Sequence, residues 1–297
     1  MVEDQQIKLI HQRDESLYPD VLFNRPIRGL SRMHVALFGG SKRGMVALSE
    51  VYSTMLSTGI EPTCVVEAVT AELAPLPVGS LILHTDKKTR QVSETADVLS
   101  FVGRSNVAIM APEAELGSSL QILLEKVLSE TQTPVIITDE AVGLYRFAPR
   151  GTKRLNVLFI LSAEGLMKLA NVLALPVKIR PGRGVYNTLA LVEAVHDATG
   201  AHVVSFDCEQ AVVRDGSRND EYGIIHVLEN GITQHRGLFI GLVAGLLADT
   251  SQAFTSVLPK LMTAGYLFNS ILNQSNGLHD PAMLDRAIKD TLANELQ

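Results

Sequence analysis

Five short stretches of this chain carry residues able to do chemistry, and each follows an apolar, strand-like run. The first, Gly39-Gly40-Ser41-Lys42-Arg43-Gly44, continues directly from His34-Val-Ala-Leu-Phe38. Glycines let a backbone approach a ligand, a following helix start offers free N–H groups to an anion, and Lys42 and Arg43 add positive charge. Gly39 and Gly44 have the spacing of a phosphate-binding P-loop. Met45 and Val46, however, stand where lysine and a serine or threonine are required, and no G-x-G-x-x-G is present. A tight strand-to-helix turn with solvated Lys42 and Arg43 explains the stretch equally well. The second, Thr138-Asp139-Glu140, could hold a cation or a ribose hydroxyl, or its acids could cap the next turn. In the third, Ser162-Ala163-Glu164, helix capping by Ser162 is a sufficient reading.

The fourth stretch has Asp207 and Glu209 on either side of Cys208. Crowding would raise at least one of the two carboxyls if both were buried, and exposure is the expectation. In the fifth, Asn230-Gly-Ile-Thr-Gln-His235-Arg236-Gly237, the histidine and arginine precede a helix start. There they could receive an anion or transfer a proton, although a loop histidine is more commonly just solvated. None of the eight histidines has another three or four residues away, so no zinc spacing exists. G-x-S-x-G and H-E-x-x-H are absent as well.

The elements that must position these stretches read as strands at His34–Phe38, Thr63–Val66, Leu81–His84, Val107–Ala111, Val135–Thr138, Val157–Ser162 and His202–Phe206. Ala211–Arg214 and Ile224–Leu228 follow as a hairpin. The earlier runs are nearly all apolar, as in parallel strands covered on both faces. Helical patterns lie near 44–58, 116–130, 163–174 and 187–199, with Gly59 and Gly200 as C-terminal caps. This alternation predicts an α/β three-layer sandwich with a mostly parallel central sheet. Residues 1–30 are expected as an arm or short helix, and 85–98 as a polar surface excursion. Residues 281–296 form an amphipathic helix with Met283, Leu284, Ile288, Leu292 and Leu296 on the stripe that lids the core. No repeat or linker is visible, so one domain over 1–297 is expected.

Composition narrows the function classes. The 297 residues are 46% hydrophobic and 20% charged, which excludes disorder. The net charge of −6 leaves no electrostatic footprint for duplex nucleic acid. Cys64 and Cys208 lie in strand-like surroundings and are expected as buried free thiols, which fits a reducing compartment. The polar, acidic N-terminus does not read as a secretory signal, and the longest apolar stretch, 237–248, is too short to span a bilayer. A cytoplasmic protein with no membrane partner is expected.

Laid out in order, these segments resemble the nucleotide-dependent NAD(P)H-hydrate dehydratases of the ribokinase-like superfamily, from about Arg28 to Leu272. The family's opening strand, G-G-S and glycine-methionine pair are matched by Val35–Ser41, Gly44-Met45, Ala47, Leu56 and Gly59. Its closing A-G-L-L-A helix is matched by Val243–Ala248, followed by Ser251–Phe254 and Tyr266-Leu267. Its P-L-V-L-D-A-D-A is matched by Pro134–Ala141. The resemblance implies a ribokinase-like, carbohydrate kinase-like fold, ADP or ATP with Mg2+ as cofactors, a nicotinamide dinucleotide hydrate or other small anion as ligand, and a homo-oligomer.

The family's active-site motifs are altered. Its G-S-G-D, with the catalytic aspartate and anion-hole glycine, corresponds to Gln234-His235-Arg236-Gly237, so the aspartate position falls on Gly237. Its nucleotide-holding L-K-G-A-G-T corresponds to Phe206-Asp207-Cys208-Glu209-Gln210-Ala211. Its T-P-H-P-x-E region corresponds to about Ile160–Gly165 with Ser162 near the histidine, and its G-P-G-L-G to Ala111-Pro-Glu113-Ala-Glu115. Substrate or anion contacts are therefore expected from Gly39, Gly40, Ser41, Lys42, Ala47, Glu113 and Ser162. Degenerate nucleotide positions are Asp207–Ala211, Arg236 and Gly237, and the catalytic candidates are His235 and Arg236, with no metal ligands. Nothing in the sequence orients His235.

Three functions are compatible with these residues. The first is a dehydratase homologue with an eroded nucleotide site, a pseudoenzyme or weak lyase. The second is an active ADP/ATP-dependent dehydratase using a rearranged site. The third is a small-molecule kinase, which needs an acid near residue 237, where the nearest along the chain is Glu229.

Overall fold

Four-residue strands buried on both faces organise the molecule, as the apolar runs require. A computed structural model describes residues 8–23, 33–40, 45–72, 75–86, 91–110, 118–147, 154–176, 185–216, 221–227, 231–248, 254, 257–274 and 281–294. The strands are β1 (Lys8–Gln12), β2 (Val35–Phe38), β3 (Thr63–Glu67), β4 (Leu81–Leu83), β5 (Val107–Met110), β6 (Val135–Thr138), β7 (Val157–Ser162), β8 (His202–Phe206), β9 (Gln210–Arg214) and β10 (Glu221–His226). They form one sheet in the order β1-β10-β9-β8-β7-β6-β5-β2-β3-β4. All neighbours are parallel except β9, which runs antiparallel to both β8 and β10. β9 and β10 form the expected hairpin, and the β8–β9 turn is a second one.

The helices are α1 (Pro19–Phe23), α2 (Val46–Ser57), α3 (Ala68–Ala71), α4 (Thr95–Gly103), α5 (Ser118–Glu130), α6 (Ala163–Val172), α7 (Val185–Thr199), α8 (Gly231–Gln234), α9 (Arg236–Ala248), α10 (Val257–Gln274) and α11 (Pro281–Asn294), with a 3-10 helix at Asp139–Phe147. Alternate residues of each central strand feed two separate cores. Val35, Leu37, Ile109, Ile136, Leu158 and Ile160 face α2, α9, α10 and α11. Ala36, Phe38, Ala108, Met110, Ile137 and Phe159 face α4, α5, α6 and α7. This is the expected three-layer α/β sandwich.

α9 is buried at nearly every position and packs on α2 through a face of glycines four residues apart. A Cβ on Gly241 would lie 2.7 Å from Thr54 Cβ, and one on Gly245 would lie 3.1 Å from Thr58 Oγ1. The close approach therefore depends on residues without side chains. Gly59 and Gly200 hold φ of +86° and +70°, the left-handed geometry of helix-ending glycines. α11 covers the core with Ala287, Ile288 and Leu292 buried.

Several expectations need correction. The N-terminal arm contributes β1, an edge strand parallel to β10, beside the expected short helix α1. The polar excursion ends early, because α4 begins at Thr95 and buries Val98. Met283, placed on the apolar stripe of α11, is exposed, since α11 turns that position outward. Cys64 is buried, but Cys208 is exposed in the β8–β9 turn. Among the described residues, no helix is long and apolar enough to cross a membrane.

Candidate functional site

The carboxyl ends of β6 and β7 and the first turn of α9 bring three of the chemistry-bearing stretches together, where open parallel sheets keep their ligand crevices. At the end of β6, the Thr138 hydroxyl lies 3.0 Å from both Met110 O and Glu140 Oε2, and its single proton serves one acceptor at a time. Asp139, next along the chain, turns toward β7, where its Oδ1 accepts from Ser162 N at 2.9 Å. Ser162 in turn caps α6, its Oγ accepting from Gly165 N at 3.1 Å, as the sequence suggested. Gly165 leaves room for this carboxylate: a Cβ on it would overlap Asp139 Oδ1 and push that side chain aside.

Arg236 crosses from α9 to these acids. Its Nη2 donates to Glu140 Oε1 at 2.6 Å and its Nη1 to Asp139 Oδ2 at 3.3 Å. All three side chains are about four-fifths buried. Burial pushes the Asp139 carboxyl above its ordinary range, against the lowering effects of the Ser162 bonds and the Arg236 charge, while Glu140 adds to the rise. The adjacent acids thus hold a cation, as one reading of this stretch allowed, and that cation is the protein's own arginine.

The second contact is with α2. Gly237 N donates to Glu50 Oε2 at 3.1 Å. The other carboxylate oxygen, Oε1, stands 3.6 Å from His235 Nδ1, a buried nitrogen with no hydrogen-bond partner among the described residues. His235 is not in an open loop: the short helix α8 precedes it, and its backbone N–H bonds to Gly231 O. No hydrogen bond orients the His235 ring among the described residues, but an acid does stand beside Gly237, Glu50 of α2, while Glu229 lies outside the described residues. Ala47 belongs to the same contact, since its carbonyl oxygen would lie 2.6 Å from a Gly237 Cβ.

Gly39 and Gly40 are buried at the end of β2, and Gly40 takes a φ of +76° beside Leu48 and Thr70. Ser41, Lys42 and Glu113, which the sequence placed at the site, lie outside the described residues. Asp207 to Ala211 span the turn from β8 into β9, in which Asp207 Oδ1 accepts from both Glu209 N and Gln210 N at 3.0 Å. Cys208 and Glu209 are exposed there, while Ala211 is buried in the core. No group of three or more His, Cys, Asp or Glu side chains suited to a metal occurs among the described residues. Glu50 is the residue that sequence reasoning missed.

No protein-family model matches the chain, and no curated protein matches it. Solved structures do. A ribokinase-like superfamily protein from Enterococcus faecalis V583 superposes with a TM-score of 0.69 at 16% identity, covering 97% of each chain. The ADP/ATP-dependent NAD(P)H-hydrate dehydratase of Bacillus subtilis, co-crystallised with ATP/Mg2+ and soaked with CoA, gives 0.63 at 11% identity over 93% of this chain and 97% of that one. Pyridoxal kinase from Staphylococcus aureus, in complex with pyridoxal, gives 0.54 at 10% identity over 81% and 88%. The chain has the ribokinase-like fold.

Proposed function

We propose that this chain is a divergent homologue of the nucleotide-dependent NAD(P)H-hydrate dehydratases, inactive or weakly active because its own side chains occupy the anion-binding positions. The supporting observation is the pair of contacts at the start of α9: Glu50 accepts the Gly237 N–H, and Arg236 is neutralised by Asp139 and Glu140. A phosphate approaching this helix start would have to displace a carboxylate and would meet two more. The described residues at this helix start do not fit a nucleotide phosphate. Losing a positioned general base typically costs ~10²–10⁴-fold. Losing anion-hole donors costs a further ~10²–10³-fold.

Isothermal titration with ADP and with ATP, each with Mg2+, tests this reading. No heat up to millimolar ligand is expected, and micromolar binding of either nucleotide would sink it. A cytoplasmic location and a homo-oligomer belong to the same proposal, the second being checked by light scattering on the purified chain.

One observation favours a second reading, an active dehydratase with a rearranged site. Glu50 stands where it could orient His235 as a base, an arrangement that generalises the acid–histidine pairs of many active sites. Incubating NADH hydrate with ADP or ATP and following NADH absorbance separates the two. A flat trace supports the first reading. A nucleotide-dependent rise that falls ~10²–10⁴-fold in His235→Gln supports the second.

A further inference from the structure

The sheet edge opposite β4 carries a pair of histidines that the candidate site does not use. His11 on β1 and His226 at the carboxyl end of β10 have Nδ1 and Nε2 3.0 Å apart. Their ring centres are 5.3 Å apart and their planes 22° from parallel. The facing nitrogens therefore lie between the ring centres, and the imidazoles meet edge to edge in one N–H···N bond rather than face on face. Such a bond requires that one nitrogen carry a hydrogen and the other offer a lone pair. If both rings are charged, two N–H groups and two positive charges face each other across the same gap.

Among the described residues, no carboxylate bonds either ring to compensate a second charge. Arg13, at the exit of β1, adds positive potential at His226. Across the ladder from His226 stands Gln210 of β9, and Val227 N donates to the carbonyl of Glu209. From α10, Asn269 uses its Nδ2 to bond His226 O. Asp14 and Glu15 follow as exposed residues, and the Lys8–Glu221 ion pair, 2.8 Å long, lies at the other end of the two strands. Burial, Arg13 and His11 together hold the His226 ring below the ordinary histidine range.

We propose that His11 and His226 form an acid-sensitive clasp that fastens β1 to the sheet edge and loosens when both rings become protonated. The unfastened strand accepts the second proton more readily than the fastened one. Acidification through the ordinary histidine range thus shifts the balance toward the loosened edge. The buried Leu22 of α1, packed in the core, keeps the rest of the arm docked. Loosening is therefore confined to the β1–β10 ladder. The clasp is independent of the function proposed for the cleft.

Hydrogen exchange read by mass spectrometry, at about pH 7.5 and about pH 5.5 and corrected for intrinsic rates, tests it. Peptides spanning 8–12 and 221–226 of the whole chain should lose protection roughly threefold or more at the lower pH, while β5 and β6 should not change. His226→Gln and His11→Gln, which keep a polar group but cannot titrate, should each abolish that acid response. His11→Gln lies on the edge strand, so it reads out even if the β10 substitution unfolds the sheet. Equal protection of the wild-type ladder at both pH values, or an undiminished acid response in His11→Gln, would overturn the clasp.

Discussion

Replacing Arg236 with methionine keeps most of the side chain's hydrocarbon stem and removes only the charge and its hydrogen bonds. Asp139 and Glu140 then face each other at the end of β6 without a cation, both about four-fifths buried. Breaking a fully buried pair costs about 3–5 kcal/mol, and an exposed pair is worth about 0–1 kcal/mol. This site lies between, so a loss of about 2 kcal/mol at neutral pH is expected, or roughly 3 °C in Tm for a chain of this size. The penalty carries a pH signature. Burial already raises Asp139, and Arg236 works against that rise. A carboxyl whose native pKa is raised contributes most stability at low pH and loses it as pH climbs through the native value. Removing the arginine raises Asp139 further, so the variant suffers most at neutral pH and recovers as Asp139 takes up its proton. Urea denaturation of wild type and Arg236→Met at about pH 7.5 and about pH 5 measures both effects. A difference below about 0.5 kcal/mol at neutral pH, or one that does not shrink on acidification, would refute the ion-pair account.

Other outcomes follow from the same contacts. Ser162→Ala removes the cap of α6 and should cost about 1 kcal/mol in denaturant unfolding. Gly165→Ala should cost more than Ser162→Ala, because the new Cβ displaces Asp139 as well; an equal or smaller loss would contradict the overlap. Gly241→Ala should push α9 off α2 and lose about 1–3 kcal/mol, with a lowered Tm as the readout. Burial pushes the Cys64 thiol up to about 11, whereas Cys208 is exposed. A thiol reagent at about pH 8 should therefore label the native chain once, at Cys208, and a second label would mean that the buried site opens.

The sheet was legible because its central strands are buried on both faces and so read as unbroken apolar runs. β1 was not, since Lys8-Leu-Ile-His-Gln12 is an edge strand whose residues are mostly half exposed. α4 was hidden because its first turn continues a polar stretch, and only Val98 and Val102 mark its buried side. At the site, Ser162 announced its capping role, being a local matter of three residues. Arg236 and Asp139 were each visible, but their pairing spans 97 residues and has no local pattern. Glu50 was invisible as a site residue, lying 187 residues from its partner inside an ordinary helix. One signal was available: Gly237, Gly241 and Gly245 are spaced four apart, which marks a face where another helix approaches closely. An acid on that other helix then lies within reach of the α9 amides.

That spacing also bears on whether position 237 could carry a side chain at all. The resemblance assigns the catalytic aspartate to position 237. A Cβ there would stand 2.5 Å from Glu50 Cβ and 2.6 Å from Ala47 O, distances that nonbonded carbon atoms do not tolerate. Removing Glu50 would relieve the first contact and not the second, because Ala47 O belongs to the backbone of α2. An aspartate at 237 thus requires α9 to withdraw from α2, and the withdrawal would open gaps along Gly241 and Gly245, where cavities are costly. The glycine face, the Glu50 bond to the Gly237 amide and the lack of a side chain at 237 are consequently one structural choice. Gly237→Asp, alone or with Glu50→Ala, should destabilise the fold and give no dehydration of NADH hydrate. A stable Glu50→Ala/Gly237→Asp chain that dehydrated NADH hydrate would show that the helix spacing does not hold the cleft in its present form.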